Sequence, residues 1–141
     1  MNDRKQVSIR LQSLHEGENT IQELPAEAFI KGKVLYVRYT EPALGPHQGE
    51  TRAMLKLTED ELKLIRHGEV ESEQAFQLGQ RLPGYYRSPF TSFNLSTHTQ
   101  RLELALEGVT GRAAWAYDLY VLDEFSGHFS ISLTIQVAHE S

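Results

Sequence analysis

From Val7 onward, apolar and polar residues alternate with period two, and the alternation restarts after each short run of turn residues. In VSIRLQSL, Val7, Ile9 and Leu11 fall on one face while Ser8, Arg10 and Gln12 fall on the other, the pattern of a half-buried strand. EGEN supplies a turn. TIQELPAEAFI follows, and Pro25, which has no N–H for a ladder, predicts a kinked or edge strand broken near its middle. After KGK, the β-branched and aromatic run KVLYVRYTE reads as a strand. PALGPHQG, with two prolines and two glycines, reads as a long loop.

ETRAMLKLT and ELKLIRHG predict a hairpin turning at Glu59 and Asp60. Thr58 could open a helix as an N-cap, but Leu62 and Leu64 alternate and Gly68 interrupts the run, so a strand is the better reading. LPGYYRSPFTSF, residues 82 to 93, predicts a corner that bends twice, at Gly84 and at Ser88-Pro89, between a strand ending near Leu78 and one beginning near Thr91. TSFNLSTHT and RLELALEG then alternate around a turn at Thr99-Gln100, followed by RAAWAYDLYVLD and HFSISLTIQVA. In the third of these runs both faces are partly apolar, which predicts a central, well-covered strand. The expected fold is all-β, an up-and-down antiparallel barrel of about eight to ten strands, because closure removes the exposed edges of a meander.

Composition agrees with one domain over residues 1–141: 40% of the residues are hydrophobic and 23% charged, and a chain this long buries roughly 68% of its unfolded surface without staples. A net charge of −5, with 14 basic residues spread among 19 acidic ones, argues against nucleic acid, which demands a clustered Lys/Arg surface. With no cysteine, disulfides, thiolate metal sites and a cysteine nucleophile are excluded. No run approaches the roughly 18 apolar residues of a membrane-spanning helix and the start is polar, so the expectation is a cytoplasmic protein with no membrane partner.

The succession of KGKVLYVRYTE, RHG, YYRSPF, GRAAWAYDLYV and GHFSISLTIQV resembles the YwiB-like family, small bacterial proteins of unknown function, over about Val7 to Val137. The resemblance implies a calycin-like, lipocalin-type β-barrel and brings no activity, metal or cofactor. A family pattern of Tyr-x-Thr/Ser-Pro-aromatic falls on Tyr86, Ser88, Pro89 and Phe90, with Thr91 where a glycine is expected. Arg66 and Gly68, and Tyr39 and Glu41, match two further elements.

A barrel of this size is either filled by side chains or holds one small ligand, and polar residues on the inward face would mark the second case. Arg66 shares parity with Leu62 and Leu64; Glu41 or Glu50 could pair with it, and its two-pronged donor geometry could instead hold a ligand carboxylate. Arg38, on the face of Val34 and Tyr36, raises the same question, whereas Tyr39 has the opposite parity. Thr97 and Thr99 continue the face of Phe93 and Leu95. With Tyr86, Phe90 and Trp115 at an open end, the candidate ligand-binding set is Arg66, Tyr86, Phe90, Trp115, Arg38 and Thr97, for a small, partly apolar ligand, an anionic one included.

Catalytic signals are weak. The six histidines form no i, i+4 pair or HExxH, so no metal site is expected. Asp118, His128 and Ser130 are the residue types of a hydrolytic triad but lack a GxSxG elbow, and GQRLPG lacks the Lys-Ser/Thr of a phosphate loop. No catalytic residue and no cofactor is assigned. The competing expectation is a filled barrel serving as an interaction module, dimerising near Pro25 or through loop 42–49.

Overall fold

The computed structural model of the chain describes residues 4–42 and 49–138. Ten antiparallel strands follow one another: β1 (Lys5–His15), β2 (Glu18–Lys31), β3 (Val34–Glu41), β4 (Thr51–Leu57), β5 (Glu61–Gly68), β6 (Glu71–Gln77), β7 (Arg81–Arg87), β8 (Ser92–Glu107), β9 (Thr110–Val121) and β10 (Glu124–Val137). Each pairs with the next, and β10 returns to pair with β1, so the sheet closes into an up-and-down barrel. Thr58 caps no helix; its hydroxyl accepts from the Glu61 N–H at 3.1 Å inside the β4–β5 turn.

On β1, β5 and β10 the period-two faces fall as the sequence predicts, whereas on β3 the inward face is that of Tyr39 and not that of Val34, Tyr36 and Arg38. Val7, Ile9, Leu35, Val37, Leu55, Leu57, Leu62, Leu133 and Ile135 are all buried in one interior cluster, while their strand neighbours Ser8, Arg10, Arg38 and Arg52 face outward. The end carrying the β2–β3, β4–β5 and β8–β9 turns is filled by Leu35, Leu57, Leu62, Leu104 and Leu106. Polar inward residues gather at the other end.

Three expectations are corrected. Thr99-Gln100 is no turn: β8 runs continuously for 16 residues, and the register steps from Thr99↔Tyr117 to Arg101↔Ala116, a bulge at Gln100. The extra residue moves the inward face from Leu95, Thr97 and Thr99 to Leu102, Leu104 and Leu106, so two alternating runs of opposite parity belong to one strand. Pro25 does not break β2 either, because it pairs with Ser8 of β1 at a level where the β2–β3 pairing, which spans Glu27 to Lys31, has already stopped. On that side its missing N–H costs no ladder bond.

The third correction concerns LPGYYRSPFTSF. Residues 81 to 87 form β7, paired along its length with β8, and the chain turns only at Ser88 to Thr91, where the Ser88 hydroxyl accepts from the Phe90 and Thr91 N–H groups at 3.3 and 3.2 Å. Against β6, however, β7 makes only three residue pairs, Glu71 to Glu73 with Arg87 to Tyr85. Beyond Glu73, β6 bonds to β8 instead. The Thr97 hydroxyl donates to the Ala75 carbonyl at 2.6 Å, and the Gly79 N–H donates to the Thr99 carbonyl at 2.8 Å.

Candidate functional site

One inward row of paired residues crosses six strands near the polar end of the barrel: Tyr39, Ala53, Arg66, Ser72, Tyr86 and Phe93. Ala53 is the reason its two large neighbours can meet the next row. Its small side chain leaves space over β4, and across that space Arg66 Nε donates to Glu41 Oε1 at 2.7 Å, with Nη1 reaching Ser72 Oγ at 3.4 Å. Of the two acidic partners considered for Arg66, Glu41 is the one it bonds. The Arg66 and Glu41 side chains are 26% and 27% exposed, so the pair is half-buried at the rim and short enough to stay together.

Facing this pair from the opposite wall are rings of β9 and β10. Phe76 of β6 is fully buried, with its centroid 4.7 Å from Tyr117 and 5.9 Å from Trp115. Tyr117 stacks on Phe129 at 5.4 Å, and Phe129 stacks on His15 at 4.0 Å, so a continuous series of rings runs from the barrel centre to the rim.

Between Arg66–Glu41 and these rings lies an internal cavity of about 150 Å³. Leu11, Leu55, Leu64, Phe76 and Ile131 supply apolar walls, and Ser13, Gln22, Tyr39, Glu41, Arg66, Gln74, Trp115 and Tyr117 supply the polar ones. Trp115 is 3% exposed, and its Nε1–H, enclosed on all sides, has no hydrogen-bond partner among the described residues. A buried indole N–H left unpaired costs about 1–3 kcal/mol unless something supplies an acceptor.

Burial pushes the Tyr39 hydroxyl up to about 12; the Arg66 cation opposes that rise and the Glu41 carboxylate adds to it. Tyr117 is likewise pushed up to about 12 by burial, against the pull of the same Arg66 charge. Both phenols are therefore neutral donors at physiological pH. A raised folded-state value means that their contribution to stability is complete below pH ~10, where a free phenol ionises, and is lost as pH rises towards 12. Ultraviolet titration is expected to show two of the six tyrosines ionising only with unfolding, stability falling across that same window. Six phenols ionising together near pH 10 would contradict the burial.

Of the residues singled out in the sequence, Arg66 and Trp115 meet at this cavity. Tyr86 shares their end and inward face but stacks on Phe93 at 5.2 Å, filling its own sector. Arg38 points outward, its guanidinium 5.3 Å from the Phe29 ring, because Tyr39 takes the inward parity. It borders a larger open groove of about 470 Å³ on the outer wall, along with Arg52, Met54, Ile65 and His67. Phe90 is 89% exposed at the tip of the β7–β8 turn, and Thr97 is fully buried with its hydroxyl spent on Ala75. These three do not line the cavity.

Tyr39, Glu41, Gln74 and Tyr117 do, and parity alone could have nominated Tyr39 and Glu41, since both alternate with Leu35 and Val37. Asp118 and His128 lie on the outer wall, bonded at 2.8 Å, but the other Asp118 oxygen accepts from Gln100 at 2.7 Å, and among the described residues Ser130 makes no bond to His128. That arrangement is a surface pair rather than a nucleophile with its base. Loop residues 43–48, with His47, lie outside the described residues, as does His139. Among the described residues no group of three or more His, Asp or Glu is placed to hold a metal, and no helix is long and apolar enough to cross a membrane.

A family model described as "Domain of unknown function (DUF1934)" matches residues 6–133. The chain belongs to the DUF1934 family. It is 28% identical over 109 residues to "Uncharacterized beta-barrel protein YwiB" of Bacillus subtilis (strain 168), a match covering 77% of this chain and 74% of that one. The crystal structure of the ywiB protein from Bacillus subtilis superposes with a TM-score of 0.81 at 21% identity, covering 96% of this chain and 94% of that chain. The DUF1934 fold is thus a closed antiparallel β-barrel in both proteins, and the family description carries no activity.

Proposed function

We propose that this DUF1934 barrel is a non-enzymatic, calycin-like binding protein of the cytoplasm that takes a small, partly apolar ligand into its internal cavity. The observation that carries the reading is an internal cavity whose apolar walls hold the half-buried Arg66–Glu41 pair and the neutral phenols of Tyr39 and Tyr117. A site with apolar walls and a few fixed polar groups orients a ligand through those groups. About 150 Å³ is the scale of one aromatic ring or a short branched chain. The outward residues Ser8, Arg10 and Gln12 are polar, the reverse of a lipid-facing wall, which supports an aqueous setting.

Native mass spectrometry of protein purified from its own host, with thermal shift against a metabolite panel, tests the reading. A co-purifying mass is expected, and its ligand at 100 times Kd should add about 2.7 kcal/mol of stability, roughly 8 °C in Tm at this chain length. No bound mass and no stabilisation across the panel would sink it.

A second reading, docking of a second copy, is favoured by a different observation. Residues 18 to 26 of β2 pair only with β1 among the described residues, and Leu14 and Ile21 are each 47% exposed beside them. Sedimentation analysis that finds a monomer at high concentration would remove it.

A further inference from the structure

We propose that the outer wall formed by β3, β4 and β5 docks an extended acidic peptide, a tail or loop of a partner protein in which carboxylate and apolar side chains share one face. The surface lies outside the barrel, so the inference stands apart from the internal cavity.

Parity defines the surface. On β3 Tyr39 faces inward and Arg38 outward; on β4 Ala53 and Leu55 face inward and Arg52, Met54 and Lys56 outward; on β5 Leu62 and Leu64 face inward and Lys63 and Ile65 outward. Register then sets three rows side by side. Arg52 is opposite His67, Met54 lies between Arg38 and Ile65, and Lys56 is opposite Lys63. Two basic rows thus bracket an apolar one, and Met54 and Ile65 floor the open groove of about 470 Å³.

This arrangement serves the sheet poorly. Like charges directly opposite one another on neighbouring strands repel, and Lys56 and Lys63 are such a pair. Among the described residues, Arg38, Arg52, Lys56 and Lys63 form no salt bridge, and residues 43–48, between β3 and β4, contain no Asp or Glu. The neighbouring carboxylates Glu27 and Glu71 are taken by Arg4 at 3.1 Å and His67 at 2.9 Å. In a chain of net charge −5, cations gathered on one wall without carboxylate partners point to an anionic occupant.

Spacing selects the kind of anion. A strand rises about 3.3 Å per residue, so the rows of Arg52 and Lys56 are about 13 Å apart with the apolar row midway. An extended peptide lying along β4 has the same repeat: acidic side chains at i and i+4 and an apolar one at i+2 meet the three rows in turn. Nucleic acid fits less well. Its phosphates recur without an apolar interval, and Glu27, Glu71 and Glu73 border the patch, so a long polyanion would run from the cations onto carboxylates.

The acetylated, amidated peptides GESLSEG and GQSLSQG share a shape and differ in charge, and amide chemical shifts of the full-length protein report where each docks. GESLSEG is expected to shift the Arg38, Met54 and Ile65 amides saturably, with GQSLSQG at least about ten-fold weaker. Salt at about 1 M, which shortens the screening length to about 3 Å, should erase that difference. The double variant Lys56→Gln, Lys63→Gln should weaken GESLSEG about five-fold while leaving Tm unchanged or raised, because it relieves the opposed pair. A fall in Tm with unchanged peptide affinity would make that row structural and overturn the inference. Equal affinity for the two peptides at low salt, or no shift on β3 to β5 from GESLSEG, would overturn it too. Tighter binding of a short oligothymidylate to the same amides would overturn the peptide class and assign the wall to nucleic acid. All these readouts lie on the outer wall, so their failure leaves the cavity ligand untouched.

Discussion

Replacing Phe76 with alanine is expected to lower stability by about 3–5 kcal/mol. Phe76 is 1% exposed, and its ring touches both Trp115 and Tyr117 across the interior. Its removal deletes those contacts and opens the existing cavity further, and neither wall can close the gap, because closure of the sheet fixes the distance between β6 and β9. At roughly 3 °C per kcal/mol for a chain of this length, Tm should fall by about 9–15 °C. Denaturant titration of the two proteins, compared at equal m-value, gives the free energy directly. A loss below about 1 kcal/mol would mean that the interior relaxes freely, and the cavity beside Phe76 would then lack the rigid walls on which selective binding depends.

Much of the barrel was legible because its signal is local. Leu102, Leu104 and Leu106, like Phe129, Ile131, Leu133 and Ile135, declare one buried face through period two alone. Trp115 and Tyr117 on one face with Tyr120 on the other follow from the same rule, and the structure keeps them apart, with Tyr120 on the outer wall against Phe125 and Arg81. Where parity changes within a strand, local reading fails. The bulge at Gln100 exchanges one face for the other without any turn residue to announce it, so a single 16-residue strand reads as two. Pro25 misled for a related reason: a proline lacks a donor everywhere, but the lack matters only if a neighbour needs it, and whether β3 extends that far is a tertiary fact.

The site was legible in part. Arg66 stood out because a charged residue continued an apolar face, which is a contradiction visible in one strand. Its partner was narrowed to Glu41 or Glu50, but the sequence could not choose between them. Glu41 meets Arg66 only because β3 and β5 flank β4 at a level where Ala53 is small, and that takes the register of three strands to see. Tyr117 likewise reads as core, and its place opposite Arg66 depends on the width of the closed barrel. Arg38 was nominated on the face of Val34 and Tyr36, which turns out to be the outer face of β3, and Phe90 by its place in YYRSPF; the structure puts both outside.

Gly84→Ala is expected to cost about 2–3 kcal/mol, some 6–9 °C in Tm, although it adds a single methyl group. A Cβ at this position would run into the main-chain oxygen of Glu73 and would approach Leu95 Cδ1 to 2.9 Å. The leucine tip can move, but the Glu73 carbonyl cannot without pulling β6 away from β7 where only three residue pairs join them. Pro83, next in the chain, is exposed, faces outward opposite Ser96 and should tolerate alanine with a change under about 1 kcal/mol. Measuring both variants separates two accounts of the Pro-Gly pair. If the dipeptide served to bend the chain, both substitutions would be costly together; if glycine is there for closeness, Gly84→Ala alone will be. The second outcome would also weaken the neighbouring seam, so amide exchange at Ala75 to Gly79 should accelerate in Gly84→Ala and stay unchanged in Pro83→Ala. Protection that stayed the same in both would separate the β6–β7 approach from the bond that the Thr97 hydroxyl makes to the Ala75 carbonyl, and would leave that bond to hold the seam by itself.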